Sequence, residues 1–424
     1  KCIEEIELAK ELKMDVIVTD HHEPGEQIPE TLAVVDCKRK DNKYPFRELA
    51  GCGVAFKLIQ ALSIKMDINE DEYLKYLDIA CIGTISDIVP LVDENRVIAK
   101  LGLMLVKQTR NIGLREILNL LEVAGYKKID ASTISFGIAP RVNACGRMGH
   151  QEVALELFLT NDPLKARELA QQLEKYNMER QNIEKRIFEE AIECIESSKK
   201  EKEEPACYVL GKEGWHHGVI GIVSSKITEN YYKPSILICF EGEDARGSGR
   251  SIEGFDIHEA VSKCNKYLTN YGGHSMAIGL SLKTDAFENF KKEFEEYAKN
   301  NINEEKTIPE LKIEYEVNQN DVNIATIKEL SLLEPFGEAN YEPVFIYKNL
   351  KITSIRTLTD GKHLKLGLQD IHSYIDAIGF GMGELAEEFQ IGDKIDIVGK
   401  IQINSYNNME KIQVLLKDLR RAVL

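Results

Sequence analysis

Asp20, His21 and His22 follow three consecutive apolar residues, Val16, Ile17 and Val18, and precede the turn-forming pair Pro24-Gly25. A short strand that delivers an acid and two imidazoles at its carboxyl end has this pattern. Neutral imidazole ligates divalent metals readily, and a neighbouring carboxylate can fix its tautomer. The alternative is a pair of capping or loop histidines at a turn. Because side chains alternate along a strand, one imidazole can face a crevice while its neighbour points to the other side or along the loop. Asp87 lies inside the otherwise apolar stretch CIGTISDIVPL, residues 81–91. A buried carboxylate needs a cation or donors, though Ser86 and Pro90 also suit a capping or turn role.

Further along, FGIAPRVNACGRMG (136–149) places Arg141, Asn143 and Arg147 in what reads as a small-residue loop. Guanidinium groups match phosphate with a planar fork of donors; a salt-bridge hub between lobes is the other reading. Trp215, His216 and His217 stand just before a helix start, where anions are favoured. Ser248 and Arg250 sit among glycines in ARGSGRSIEG, and His274 follows Gly272 and Gly273, which let a phosphate or base approach the backbone. Any one of these segments suits a tight turn. Three in one small unit argue for an oxyanion-binding face.

Several elements must carry these groups. Residues 1–125 alternate helical and strand patterns: a helix over the opening segment, strands at 15–19 and 32–36, and helices at 53–62 and about 72–82. That order predicts a mostly parallel sheet covered by helices, with ligands beyond the carboxyl ends of the strands. Leu169, Leu173, Tyr176, Ile183 and Ile187 share one stripe of a helix predicted from Asp162 to about Ser198, capped by Asn161 or Asp162 with Pro163 first inside. It would reach roughly 50 Å and bridge two lobes. Residues 206–300 read as a second, smaller α/β unit, and 300–310 as a linker. After 340, alternation such as Leu364, Leu366, Leu368 gives five strands, near 344–356, 363–369, 373–380, 393–403 and 411–418, with a helix over MGELAEEF between the third and fourth. This is the order of an OB-fold barrel, an architecture that often binds single-stranded nucleic acid and can also serve packing alone.

The chain has 424 residues, 43% hydrophobic and 29% charged, enough for two or three globular domains. No apolar run approaches a membrane span, and the amphipathic, charged start is no signal peptide. Nine cysteines without a CxxC pair read as reduced core thiols of a cytoplasmic protein, which excludes a zinc ribbon and a disulfide frame. A net charge of −16 argues against indiscriminate nucleic-acid binding through a global positive field, but not against local contacts.

Taken together, the segments resemble the DHH phosphoesterase superfamily and, within it, the RecJ family of single-strand-specific exonucleases. VIVTDHHEPGEQIP is similar to the third motif and IGTISDIVPL to the fourth. APRVNACGRMG, GWHHGVIGIVSSKI, SGRSIEGFDI and GGHSMAIGL resemble the interlobe and DHH-associated segments; LEPFGEANYEPVF and DGKHLKLGL resemble the approach to the OB-fold. The resemblance covers nearly the whole chain in order. One departure is His217, where many relatives carry proline. A larger one is at the start, where the first two acidic motifs are not found, so the N-terminal domain is expected to lack its first strands and about half of its metal ligands.

The resemblance implies four segments: an N-terminally incomplete DHH domain (1–125), an interlobe segment with the long helix (126–200), a DHH-associated domain (201–305), and a linker helix with the OB-fold (306–424). It implies 5′-to-3′ degradation of single-stranded DNA to mononucleotides in repair and recombination, with two Mn²⁺ or Mg²⁺ ions. His21 and Asp87 are the implied metal ligands. Asp20 is expected in the metal site too, orienting His21, and His22 meets the phosphate or a metal-held water. Arg141 and Arg147 are implied for backbone phosphates, Ser248, Arg250 and His274 for the 5′-terminal nucleotide, and Asn143, His216, Gly272 and Gly273 as further nucleic-acid-binding residues. Single-stranded DNA is the implied substrate; a single-strand-binding protein and a RecQ-type helicase are the implied partners. With half its ligands absent, the chain alone is expected to show little nuclease activity. The alternatives are a nanoRNase or cyclic-dinucleotide phosphodiesterase of the same superfamily, against which the barrel speaks, and a non-catalytic strand-binding protein.

Overall fold

The structure, a computed structural model, describes residues 3–25, 27–126, 128–199, 205–302, 308–318, 321–369, 374–406 and 409–422. Two compact units divide the chain, one of residues 1–109, 127–135 and 311–424, the other of 110–126 and 136–310.

The first unit begins with α1 (Ile3–Glu11), β1 (Ile17–Asp20) and β2 (Ala33–Asp36), followed by α2 (Gly51–Lys65), α3 (Asp71–Leu74), α4 (Leu77–Ser86) and α5 (Asp93–Val106). Among the described residues the expected parallel sheet is the β1–β2 pair, in register from Ile17 opposite Ala33 to Asp20 opposite Asp36. Their carboxyl ends therefore emerge side by side. Phe46, Leu49, Val54, Phe56, Tyr73, Leu77 and Ile98 form the core beneath.

The second unit holds α6 (Ile112–Val123), α7 (Ala139–Arg147), α8 (Gln151–Leu159) and the long α9 (Pro163–Lys199), then β3 (Tyr208–Glu213), α10 (His217–Tyr231), β4 (Ser235–Glu241), β5 (Asp244–Arg250), α11 (Ile257–Lys263), β6 (Leu268–His274), β7 (Ala277–Lys283) and α12 (Phe287–Asn301). Asp162 caps α9, its Oδ1 accepting from the Leu164 amide at 2.9 Å. The helix packs its first half on α6–α8, and Ile187, Ala191 and Ile195 of its second half share a core with α10. The sheet runs β3-β4-β5-β7-β6, with β3–β4 parallel and the rest antiparallel. Its other face buries Ile236, Ile278, Leu280, Phe290 and Phe294.

The first unit closes with β8 (Tyr315–Glu316), α13 (Ile324–Leu330), β9 (Phe345–Leu358), β10 (His363–Gln369), β11 (Tyr374–Gly379), β12 (Lys394–Tyr406) and β13 (Met409–Arg421). Strands β9–β13 form a closed barrel in the order β10-β11-β13-β12-β9, with β10 pairing back to β9. Leu364, Leu366 and Leu368 all point into its core. The expected helix over MGELAEEF is instead one 3₁₀ segment, Gly383–Glu387, a short connection being enough to cross from β11 to β12. Ahead of the barrel, 331–340 docks on the loop after α4. The Leu91 amide donates to the Glu338 carbonyl at 2.7 Å, and Arg96 donates to the Leu332 carbonyl at 3.3 Å.

Eight described cysteines are free thiols; Cys194 is exposed on α9, unlike the core position expected of it.

Candidate metal centre and nucleotide-binding face

Asp20 ends β1, and His21 and His22 belong to the turn beyond it rather than to the strand. Strand alternation no longer applies there. Both rings lie together, centroids 4.3 Å apart, so of the two expected arrangements the opposite-side one does not occur. Potential ligand atoms of Asp20, His21 and His22 all fall within 4.8 Å of one another. His21 is the more buried, its side chain 19% exposed, and its Nε2 lies 3.5 Å from Oδ2 of Asp87. The α2 N-terminus backs the ring: a Cβ at Gly51 would sit 3.2 Å from His21 Cδ2.

Asp87 is the C-cap of α4 and its side chain is 43% exposed, so it is no buried carboxylate. The apolar residues around it, Ile82 and Ile85, face the core while the helix end turns the acid outward. Asp20 differs from expectation as well. Its Oδ1 accepts from the His21 and His22 amides at 2.7 and 3.2 Å and pairs with His22 Nδ1 at 2.7 Å, so it orients His22 and not the His21 ring. Partial burial would raise the Asp20 pKa, but the bonds from the His22 ring and the two amides outweigh it and hold the group at about 2. Asp20 is thus an anion throughout the physiological range.

In the second unit, Arg141, Asn143 and Arg147 lie on α7, not in a loop. Arg141 is buried, donating from Nε and Nη2 to the Glu174 carboxylate of α9 and from Nη1 to the Gly137 carbonyl at 2.8 Å. This corrects its assignment to phosphate: the fork is already filled by a salt bridge that pins α7 to α9 within the second unit. Asn143 is exposed on the same helix.

Arg147 ends α7 and donates to the Gly218 carbonyl at 3.0 Å, in the first turn of α10. Close approach is possible because a Cβ at Gly218 would meet the Arg147 carbonyl oxygen at 2.5 Å. His216 caps α10, its Nδ1 accepting from the Gly218 amide at 3.1 Å, so the neutral ring carries its proton on Nε2. Ser248 and Arg250 are on β5, not in a loop. The glycines beside them, 247 and 249, make room for Ile236, Ile278 and Leu280 in the core behind. Arg250 donates to the Ser248 hydroxyl at 3.2 Å and to the Gly249 carbonyl at 2.8 Å. Gly221 brings α10 over both, since a Cβ there would lie 2.9 Å from Ser248 Oγ and 3.4 Å from Arg250 Nη2.

Sheet register sets the rest. Ser248 pairs with Gly279, which pairs with Gly272; Arg250 pairs with Ala277, which pairs with His274. Paired residues share a face. The structure therefore lines up Ser248, Arg250, Gly272 and His274 on the α10 side of the sheet, with glycines leaving bare backbone between them. Gly273 points to the opposite face with Ile278. Burial lowers the pKa of Arg250, with Arg147 adding to it; burial likewise lowers that of Arg147, with Arg180 adding and Glu184 opposing. Neither Arg147 nor Arg250 has a carboxylate partner among the described residues. Two crowded cations at a helix N-terminus make a site that an anion would relieve. The GVIG spacing in α10, glycines at 218 and 221, is the sequence signal for this close packing.

On the barrel, His363 at the start of β10 and Phe380 just after β11 meet edge to face, centroids 5.1 Å apart, with Phe380 61% exposed.

Fold and clustered site together define a member of the DHH superfamily. Residues 1–84 match the DHH family N-terminal domain, 204–300 the DHHA1 domain and 313–418 the RecJ OB domain. The chain is 39% identical over 419 residues to the single-stranded-DNA-specific exonuclease RecJ of Bacillus subtilis, covering 98% of this chain and 52% of that protein. With the RecJ of Haemophilus influenzae the identity is 33%, over 96% of this chain and 73% of the relative. The crystal structure of Thermus thermophilus RecJ in complex with Mn²⁺ superposes with a TM-score of 0.85 at 31% identity, over 99% of this chain and 60% of that one. The chain belongs to the RecJ family. It spans about half the length of the Bacillus relative and under two thirds of the Thermus chain.

Proposed function

We propose that the protein carrying this chain is a metal-dependent exonuclease that cleaves single-stranded DNA from its 5′ end and releases mononucleotides. The observation that carries this reading is the meeting of His21 Nε2 with the Asp87 carboxylate beyond the carboxyl end of a parallel strand. The residues fit a divalent ion: one half-buried imidazole, two carboxylates and a second imidazole, with Asp20 Oδ2 making no hydrogen bond among the described residues. His21 and Asp87 would hold Mn²⁺ or Mg²⁺, with Asp20 beside them. Such ions would lower the pKa of an attacking water and neutralise charge on the scissile phosphate. Asp20 directs the His22 ring by accepting from its Nδ1–H, which leaves Nε2 of the neutral ring to accept from the attacking water and Nε2 of a protonated ring to donate to a phosphate oxygen. Arg147, Arg250, Ser248, His216 and His274, with the bare backbone of Gly272, would hold the 5′-terminal nucleotide. Asn143 is a further exposed donor on α7 for the backbone.

Mn²⁺ binding followed by electron paramagnetic resonance tests the metal reading. His21→Ala and Asp87→Asn are each expected to weaken binding at least about tenfold; wild-type affinity in both variants would overturn it. Hydrolysis of 5′-phosphorylated single strands, compared with duplex and dinucleotide substrates, tests the activity. Metal-independent strand binding without turnover would favour the non-catalytic alternative, and a preference for dinucleotides the nanoRNase one. By the family tie, a single-strand-binding protein and a RecQ-type helicase are the proposed partners and the cytoplasm the proposed setting. No helix among the described residues is long and apolar enough to cross a membrane.

A further inference from the structure

We propose that the loop beyond β2, residues 37–48, grips the sugar-phosphate backbone of the substrate strand; the inference rests on the exonuclease reading above. Parallel pairing of β1 with β2, Asp20 opposite Asp36, brings this loop out beside the histidine turn. Its sequence, CKRKDNKYPFRE, carries five cations (Lys38, Arg39, Lys40, Lys43, Arg47) against two acids, in a chain whose net charge is −16.

The loop is pre-shaped. Asp36 Oδ1 accepts from the Lys38 amide at 2.8 Å, and Asn42 Nδ2 donates to the Cys37 carbonyl at 2.8 Å. Asn42 Oδ1 accepts from the Tyr44 amide at 2.9 Å, while Arg47 Nη2 reaches back to the Lys38 and Arg39 carbonyls at 2.5 and 3.3 Å. Some of the charge is neutralised: Arg39 pairs with Asp41, and Lys38 is shared by Glu23 and Glu48 at 3.6 Å each. Lys40 and Lys43 are exposed and have no ion pair among the described residues, and Arg47 meets only carbonyls there. Cations carried on a pre-shaped backbone without counter-charge suit a polyanion, because the loop need not be ordered and no ion pair need be broken on binding.

The test measures binding of a 5′-phosphorylated oligothymidylate to the full chain by fluorescence anisotropy, in EDTA and across a range of NaCl concentrations. Each backbone contact on a single strand contributes about 0.7 to the slope of log K against log salt. Lys40→Ala/Lys43→Ala is expected to flatten the slope by about 1.4 and to leave thermal unfolding unchanged, since neither side chain makes a hydrogen bond among the described residues. An unchanged slope overturns the proposal. Arg250→Ala separates the two readings. If it weakens binding while the lysine variant does not, the loop assignment alone falls; if the wild-type chain does not bind the strand, both fall.

Discussion

At the scale of single residues, His216 shows how a helix cap leaves a ring nitrogen open for the proposed ligand. Burial lowers its pKa below the usual 6.5, and His217 beside it adds to the effect. The neutral ring can thus accept from Gly218 through Nδ1 while Nε2 still donates. A base with a depressed folded pKa contributes stability that is fully present above about 6.5; as pH falls below that value the unfolded chain takes up the proton first. We expect the melting temperature to fall between about pH 7.5 and pH 5.5, and to fall less in His216→Asn, which keeps an N-cap acceptor but cannot titrate. Equal slopes in differential scanning calorimetry would remove His216 from the account. Asp20, His21 and Asp87 were legible in the sequence because a strand end and a helix end deliver them. Arg141 was not. Its partner Glu174 stands 33 positions away on α9, and no local pattern announces a pair formed at that distance.

Elements were most readable where one periodicity runs unbroken. The stripe on α9 and the alternating leucines of β10 needed only the geometry of helix and strand. ARGSGRS and NYGGHS read as loops because glycine is rare in strands, yet both are strands, β5 and β6. Cross-strand pairing and the bulky neighbours opposite each glycine decided the matter, and these are tertiary facts. For the basic loop after β2, the signal in the sequence is charge of one sign at a strand's carboxyl end in an acidic chain. The adjacent glycines of β6 should behave differently. Gly273 has φ of +155°, and a Cβ there would lie 2.2 Å from the Ala277 carbonyl oxygen, whereas Gly272 has nothing within 4 Å. Gly273→Ala should cost about 1–3 kcal/mol in urea unfolding. Gly272→Ala should leave stability nearly unchanged but weaken oligonucleotide binding by narrowing the platform. The reverse ranking would show that the bare backbone serves folding alone.

Across the whole molecule, the proposed strand binding would be divided between the nucleotide face, the basic loop and the barrel. Phe380 and His363 give the barrel an aromatic platform on which a base can stack. Phe380→Ala should cost about 1–3 kcal/mol in the affinity of a long oligonucleotide and leave that of a dinucleotide unchanged; a loss shared by both lengths would place the ring elsewhere in the mechanism. The barrel is not a free appendage of the first unit. Gly337 sits so close to Leu91 that a Cβ would lie 2.6 Å from its Cδ1, and Leu91 follows Asp87 by one helix end and a turn. Transplanting another barrel onto this protein would therefore fail unless residues 331–340 of this chain were kept, because the contacts that seat the module come from that segment and not from the strands.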